Sequence, residues 1–272
     1  SLRAIAAGQL TAPLQALPMN EVVQVKGLFI NPPGNIWTGF HTTFEGENRV
    51  FQRAEIPFYL TDTPKENDSI QLTIKDASSR IIQQLKAGNL TQGLNYVQWK
   101  LDEQMHRLPG AWVSEESRGI PVLAGTYTAE LTYNDYGTSS KVEVINDPRF
   151  VIDEAVEQEL YAFNKQLDNL VARFAEVYNR LTAAESSLEE DSPEKLLAKK
   201  WLLEGRDRPV DRQVGAWQST KRTPHKVLSG LLKIGRARTQ PISDQEYARL
   251  EVAEREIDNY VNQVETFLKR LE

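Results

Sequence analysis

Short runs of alternating apolar and polar residues fill the first half of the chain. In residues 69–76, Ile70, Leu72 and Ile74 are each separated by one polar residue, and this two-residue period is typical of a half-buried strand. Turn-forming residues such as Asn134-Asp135 separate the runs, and no helical period lies between them. Further runs of this kind occupy 51–60, 80–82, 95–101, 127–133 and 141–145. The pattern predicts an antiparallel β-sandwich.

A helical period begins shortly after Pro148. Apolar residues then recur at alternating spacings of four and three, at Val156, Leu160, Phe163, Leu167, Leu170, Phe174, Val177, Leu181, Ala184 and Leu188. A stripe with this period stays on one side of a helix, and about 38 residues would form a rod of about 55 Å. Start signals at Ser192-Pro193, Thr223-Pro224 and Ser243 predict three more helices. Because the stripe needs a partner, we expect an antiparallel helical bundle built on two long helices.

Composition places the boundary between these two patterns near Pro148. Of the first 150 residues 29 are charged, against 41 of the last 122, while glycine and proline become rarer. We therefore predict an α+β, multidomain chain. Its expected parts are an N-terminal linker or extension at 1–45, a β-sandwich at 46–147 and a helical bundle at 148–272.

Reactive chemistry finds little support in the sequence. The chain has no Cys, which excludes disulfides, thiolate zinc sites and Cys nucleophiles. The three His lie far apart, no GxSxG or HExxH motif occurs, and we interpret adjacent acids such as Asp102-Glu103 as solvated surface. We assign no catalytic residue, metal or cofactor, and expect no enzymatic activity in this chain. No apolar run approaches the roughly 20 residues of a membrane span.

Three residues remain as possible ligand or interface contacts: Trp112, His106 and Trp37. The first two lie in a stretch from Asp102 to Pro121 that has no clear periodicity, and long loops inside compact domains are often functional. For Trp112 a buried anchor or an inter-domain contact is favoured over stacking on a ligand. Stacking on Trp112 or Trp37 is the basis of an alternative carbohydrate-binding function.

Charge is strongly segregated in the helical half. Residues 151–198 carry a net charge of −7, residues 199–238 carry +8 and residues 239–272 carry −4. The favoured interpretation is intramolecular, with the basic segment lying against the acidic long helices. A less favoured alternative is a polyanion binder that uses 199–238, and nucleic acid is not an expected partner.

Several stretches, taken in order, resemble the C-terminal region of sortilin-type BNR-repeat glycosyl hydrolases, which are large bacterial proteins. These stretches are Ile56–Leu60, Ile70–Ala77, Gly93–Leu101, Leu123–Thr132 and Asn146–Arg149, followed by Thr223–Leu232 and the helix at Ser243–Leu271. The resemblance covers roughly residues 45–272. It implies an immunoglobulin-like domain, similar to that of the flagellar hook-capping protein, followed by C-terminal helices.

The resemblance also implies a function. In that family a β-propeller precedes the immunoglobulin-like domain, and any hydrolase or glycan-binding site is expected in the propeller. We therefore expect this chain, which starts without Met, to be a non-catalytic C-terminal accessory module. It would support an upstream propeller or mediate contact with a protein partner, in an extracellular, cell-surface or periplasmic setting. Carbohydrate remains a possible ligand, and the sequence does not fix the oligomeric state.

Overall fold

The computed structural model has an α+β fold with antiparallel and mixed sheets and α-helices. It describes residues 10–19, 21–24, 40–42, 49–51, 54–110, 119–146, 148, 151–206, 223–235 and 240–271. The chain divides into two compact units. The first contains Ser1–Gln104 and Gly119–Glu157, and the second contains Met105–Arg118 and Gln158–Glu272. Each unit is therefore assembled from two separate stretches of the sequence.

The strands lie in the first unit. They are β1 (Leu14–Ala16), β2 (Val22–Gln24), β3 (Phe40–Thr42), β4 (Arg49–Phe51), β5 (Ala54–Leu60), β6 (Ile70–Lys75), β7 (Ile81–Ala87), β8 (Gly93–Trp99), β9 (Asp102–Glu103), β10 (Ile120–Pro121), β11 (Gly125–Tyr133) and β12 (Tyr136–Asn146). One sheet has the order β1-β5-β8, and a larger one has the order β2-β12-β11-β6-β7. All neighbours in them are antiparallel except β2 and β12, which run parallel. The pairs β3–β4 and β9–β10 are separate two-stranded ribbons.

The alternation in the sequence decides which side chains form the core. Along β6, Ile70, Leu72 and Ile74 are buried, and the polar residues between them are not, so the predicted period of two is confirmed. Both larger sheets contribute to a single hydrophobic cluster. Within it the ring of Trp99 on β8 meets the edge of Tyr127 on β11 at a centroid distance of 5.3 Å.

The segment before residue 45, expected to be a linker or extension, contributes strands to both larger sheets. Leu14 of β1 pairs with Leu60 of β5, and Val22 of β2 lies beside Val144 of β12. Each of these two strands has only three residues, so neither is long enough to show an alternating pattern. Burial of Leu14 ties this part of the chain to the core.

The described part of the second unit is mainly helical, and residues 105–110 are a described non-helical segment of it. Its helices are α1 (Glu154–Ser187), α2 (Pro193–Gly205), α3 (Pro224–Gly235) and α4 (Asp244–Leu271). With 34 residues, α1 is about 51 Å long. No described helix is both long and apolar enough to cross a membrane.

The predicted helix starts are confirmed by side-chain caps. The Lys195 main-chain N–H donates to the Ser192 hydroxyl over 3.2 Å, and Thr223 caps α3 in the same way. At α4 the Ser243 main-chain N–H donates to the Glu246 carboxylate over 2.8 Å, which is half of a capping box. These caps satisfy donors that the first turn of a helix leaves unpaired.

The predicted apolar stripe of α1 is buried through most of its length. Its fully or nearly fully buried members are Leu160, Phe163, Leu167, Leu170, Phe174, Val177 and Leu181. On α4, Ile257, Tyr260 and Val264 are buried as well, and Tyr260 contacts Phe174 at a ring centroid distance of 5.4 Å. We expect burial of these apolar side chains of α1 and α4 to be the main source of stability for the helical unit.

The prediction of an antiparallel bundle is wrong for the two long helices, which run parallel. Residues that meet across them rise in number together: Glu159 with Tyr247, Phe174 with Tyr260, and Arg180 with Glu265. After α2 and α3 the chain has returned to the first turns of α1, because Tyr247 near the start of α4 lies beside Glu159 near the start of α1. An apolar stripe has the same period in either direction, so it cannot report the relative direction of two helices.

Helix α2 packs on both long helices and runs antiparallel to them. Near its start Lys195 lies 4.0 Å from Glu185, late in α1, and near its end the Leu202 carbonyl accepts from the Tyr178 hydroxyl over 3.5 Å. At Gly205 an added Cβ would lie 2.7 Å from the Tyr260 hydroxyl. Glycine at this position therefore allows the end of α2 to approach the long helices closely.

Candidate functional site

His106, one of the three candidate residues, is held against α1. The carboxylate oxygen Oδ1 of Asp168 accepts from the His106 main-chain N–H over 2.8 Å and lies 3.1 Å from the ring Nδ1. The Asp168 side chain is only 6% exposed, whereas that of His106 is 59% exposed. The arrangement holds the chain to α1 at this point, and the expected ligand or interface role of His106 stays a prediction.

Two other described residues of this segment, Met105 and Gly110, also belong to the helical unit. Met105 is buried, and an added Cβ on Gly110 would lie 3.3 Å from the ring of Tyr178. Gly110 has a φ of +76°, which a residue with a side chain rarely adopts. The part of the predicted loop between 105 and 110 is therefore an anchored element of the helical unit.

Polar contacts in the first unit join the two ends of the loop. The Asp102 carboxylate accepts from the Gly119 main-chain N–H over 2.9 Å, and Arg80 donates to both oxygens of Glu103 at 2.6 and 3.2 Å. An added Cβ at Gly119 would lie 2.1 Å from the Glu103 carbonyl oxygen. The interpretation of Asp102-Glu103 as solvated surface is wrong for Glu103, which is buried and paired.

The other two candidates, Trp112 and Trp37, lie outside the described residues. The basic segment 199–238 is described only in part, at 199–206 and 223–235. Where it is described, Lys199 contacts Glu190 at 2.6 Å. Lys195, which lies just before the basic segment, contacts the same carboxylate at 2.8 Å. These two ammonium groups hold the pKa of Glu190 at about 2, well below its usual range.

A groove between α2 and the end of α4 is a concave surface among the described residues that the sequence did not predict. Its volume is about 350 Å³, and its lining consists of Leu197, Trp201, Asn262, Gln263, Thr266, Phe267 and Arg270. Trp201 forms one wall. Its ring meets Tyr260 edge-on at 6.4 Å, and its carbonyl accepts from the Tyr260 hydroxyl over 3.0 Å. Burial raises the pKa of Tyr260 well above its ordinary value, so this hydroxyl remains a donor.

The sequence did contain a signal for this groove. Leu196, Leu197, Trp201, Leu202 and Leu203 fall within eight residues of α2, too close together to share one face of a helix. Leu197 is 38% exposed in the structure, and the Trp201 indole N–H is buried without an acceptor among the described residues. A helix with more leucines than one buried face can hold must leave some of them exposed. This pattern indicates that part of the α2 surface is available for contact.

The described residues contain no group of three His, Asp or Glu side chains that could hold a metal ion. A scan against protein-family models and searches of the curated proteins and the solved structures find no match.

Proposed function

We propose that this chain is a non-catalytic accessory module that mediates contact with another protein. The observation that carries the proposal is the lining of the α2–α4 groove. Apolar side chains, amides and one guanidinium line it, and the Thr266 hydroxyl already donates to the Asn262 carbonyl over 2.7 Å. Such a lining suits recognition of a protein surface, in which apolar contact supplies affinity and a few polar groups supply orientation.

We further propose that the first unit is immunoglobulin-like. Two short first strands enter opposite sheets, and β11 and β12 form a hairpin at the centre of the larger sheet, an arrangement that such sandwiches share. Near the start of β11 the Tyr127 hydroxyl donates to the Leu123 carbonyl over 2.7 Å. This contact has the geometry of the tyrosine corner found in many immunoglobulin-like domains, and it supports the proposal.

The resemblance to sortilin-type BNR-repeat glycosyl hydrolases gives the module a context. In that context it would brace an upstream propeller or hold a protein partner, and the parent protein would be extracellular, on the cell surface or periplasmic. The sheet unit and the helical unit supply two kinds of surface for such contacts. The family and the location are part of the proposal.

The proposal is tested by assaying the chain for hydrolysis of a panel of aryl glycosides and polysaccharides. We expect no turnover above the buffer blank. Turnover that is lost when one carboxylate of this chain is replaced by its amide would overturn the proposal.

Carbohydrate binding is a second candidate, favoured by the Trp201 ring beside the amides of Asn262 and Gln263. Aromatic rings and amides commonly bind sugars through stacking and hydrogen bonds. Titration with oligosaccharides, followed by tryptophan fluorescence in the chain and in Trp201→Phe, separates the two functions. A saturable change that requires Trp201 would favour the carbohydrate.

A further inference from the structure

Two strands of seven residues lie at the ends of the two larger sheets. They are β7, at the end of the larger sheet, and β8, at the end of the β1-β5-β8 sheet. The outer edge of β7 is partly closed, because its Ile82 carbonyl accepts from the Gln104 main-chain N–H over 2.7 Å. The other two end strands, β1 and β2, have only three residues each. Among the described strands, β8 therefore offers the best edge for a further strand.

The pairing of β5 decides which main-chain groups of β8 point away from the sheet. On the side of β1, the Pro57 carbonyl of β5 accepts from a main-chain N–H over 3.0 Å. Main-chain groups alternate between the two sides of an antiparallel strand, so the next residue, Phe58, bonds towards β8, where it lies opposite Asn95. By the same alternation, the N–H and C=O groups of Leu94 and Tyr96 point outward. No described main-chain group hydrogen-bonds to either residue on that side.

The edge of β8 lacks the features that usually keep a free edge from pairing. Such edges commonly carry a charged side chain, a proline or a bulge. Gly93–Trp99 contains no charged residue and no proline, and its register with β5 is regular. By contrast, β7 carries Lys86, and the register of its pairing with β6 shifts between Ile74 and Lys75. Tyr96, in the middle of β8, is 52% exposed, so the strand is accessible there.

A second copy of β8 matches this edge. A row of outward main-chain groups is satisfied by another extended strand, whereas a helix uses its own groups internally. If a two-fold axis passes beside Asn95, Leu94 of each antiparallel copy lies opposite Tyr96 of the other. Both residues point outward, so each such pair exchanges two hydrogen bonds and brings an aliphatic side chain against an aromatic ring. No like charges meet, because β8 has none, and a charged partner strand gains no advantage at this edge.

We propose that two copies of this chain associate edge to edge through β8, with Leu94 of one copy opposite Tyr96 of the other. The two β1-β5-β8 sheets then form one continuous sheet, with three strands from each copy. This inference goes beyond the proposed function, since it concerns the sheet unit and a second copy of the chain. A contact between two short strands is small, so we expect a reversible dimer with a dissociation constant of about 100 µM.

Sedimentation velocity of the full chain measures the association between about 1 µM and about 1 mM. We expect a monomer at the lower concentration and mostly dimer at the higher one. Amide hydrogen exchange, resolved to single residues by fragmentation mass spectrometry, locates the contact. With about four fifths of the chains dimeric, exchange at Leu94 and Tyr96 should slow about fivefold. The amide of Asp135, in the exposed turn between β11 and β12, is the matched control and should not change.

A pair of double variants tests the register. Leu94→Lys with Tyr96→Lys places like charges opposite each other in both cross-strand pairs, and should weaken the dimer by at least about tenfold. Leu94→Lys with Tyr96→Glu places opposite charges there, and should dimerise at least about tenfold more tightly than the lysine pair at low salt. Tyr136→Lys, at a similarly exposed tyrosine of β12, is the control and should leave the dimer unchanged. If circular dichroism shows that the double variants do not fold, exchange at Leu94 and Tyr96 of the wild type decides.

The inference is overturned by a chain that stays monomeric up to about 1 mM, or by unchanged exchange at Leu94 and Tyr96. Equal dimerisation of the two double variants, or a dimer that Tyr136→Lys weakens as strongly, also overturns it. A dimer that persists in the lysine variant but is lost in Leu197→Asp would place the contact at the α2–α4 groove and contradict the role of β8. The glycoside assay bears only on the proposed function, so the two proposals can fail separately.

Discussion

Replacing Phe174 by alanine should destabilise the helical unit strongly. Phe174 has no exposed surface, and its ring contacts those of Tyr178 and Tyr260 at centroid distances of 5.5 and 5.4 Å. Removing a fully buried Phe costs about 3–5 kcal/mol, since transfer of the ring and the cavity left behind both contribute. Loss of two aromatic pairs places the expected value towards the upper half of that range.

Native-state hydrogen exchange, resolved by peptide with mass spectrometry, measures the effect in each unit. A decrease of about 4 kcal/mol in the free energy of unfolding corresponds to a nearly thousandfold faster exchange rate for the most protected amides. We expect this increase in peptides from α1 and α4. Peptides from β5 and β6 should keep most of their protection, because their side chains belong to the other core.

Phe58→Ala is the matched control, because Phe58 is equally buried but lies on β5 in the sheet core. It should produce the opposite pattern, with faster exchange in the strands and little change in the long helices. The reasoning is refuted if Phe174→Ala costs less than about 1 kcal/mol, which would be too little for a closed core position. It is also refuted if both variants give the same exchange map.

Three further predictions concern individual contacts. Asp168→Ala should lower the free energy of unfolding by about 1–3 kcal/mol, because the His106 main-chain N–H loses its acceptor. Residues 105–110 should then become the first site of limited proteolysis. An unchanged cleavage pattern would contradict this prediction. Gly119→Ala should lower the thermal midpoint, since its Cβ would lie 2.1 Å from a carbonyl oxygen, while Gly230→Ala, with nothing within 4 Å in a helix, should raise it; equal shifts would refute the steric explanation. The folded-state pKa of Glu190 is about 2, below its ordinary 4.5. The wild type should therefore be more stable than Glu190→Gln near neutral pH, and the difference in thermal midpoint should disappear as the pH falls from 4.5 towards 2; a difference that persists at pH 2 would argue against the ion pairs.

The sequence predicted elements well where a period was long enough to read. The alternation around Leu72 and the stripe through Phe174 both predicted the buried face correctly. The start signals at Ser192 and Ser243 predicted helix starts, because caps depend on neighbouring residues alone. Local chemistry of this kind is contained in the sequence itself.

Relations between distant residues could not be predicted in the same way. The parallel direction of α1 and α4 depends on the path of the connection, and a stripe carries no direction. The burial of Glu103 depends on Arg80, which lies 23 positions away. The groove depends on α2 and α4 meeting at Trp201, and the surplus of leucines in α2 was the available hint.

The interleaving of the two units has a consequence for gene exchange and protein engineering. The first unit resumes at Gly119 after the chain has contributed Met105–Arg118 to the second. A single recombination breakpoint therefore cannot transfer either unit intact. A truncation after Asn146 would retain Met105 and His106 but discard the helix that carries Asp168. The natural cassette for transplantation is the whole chain.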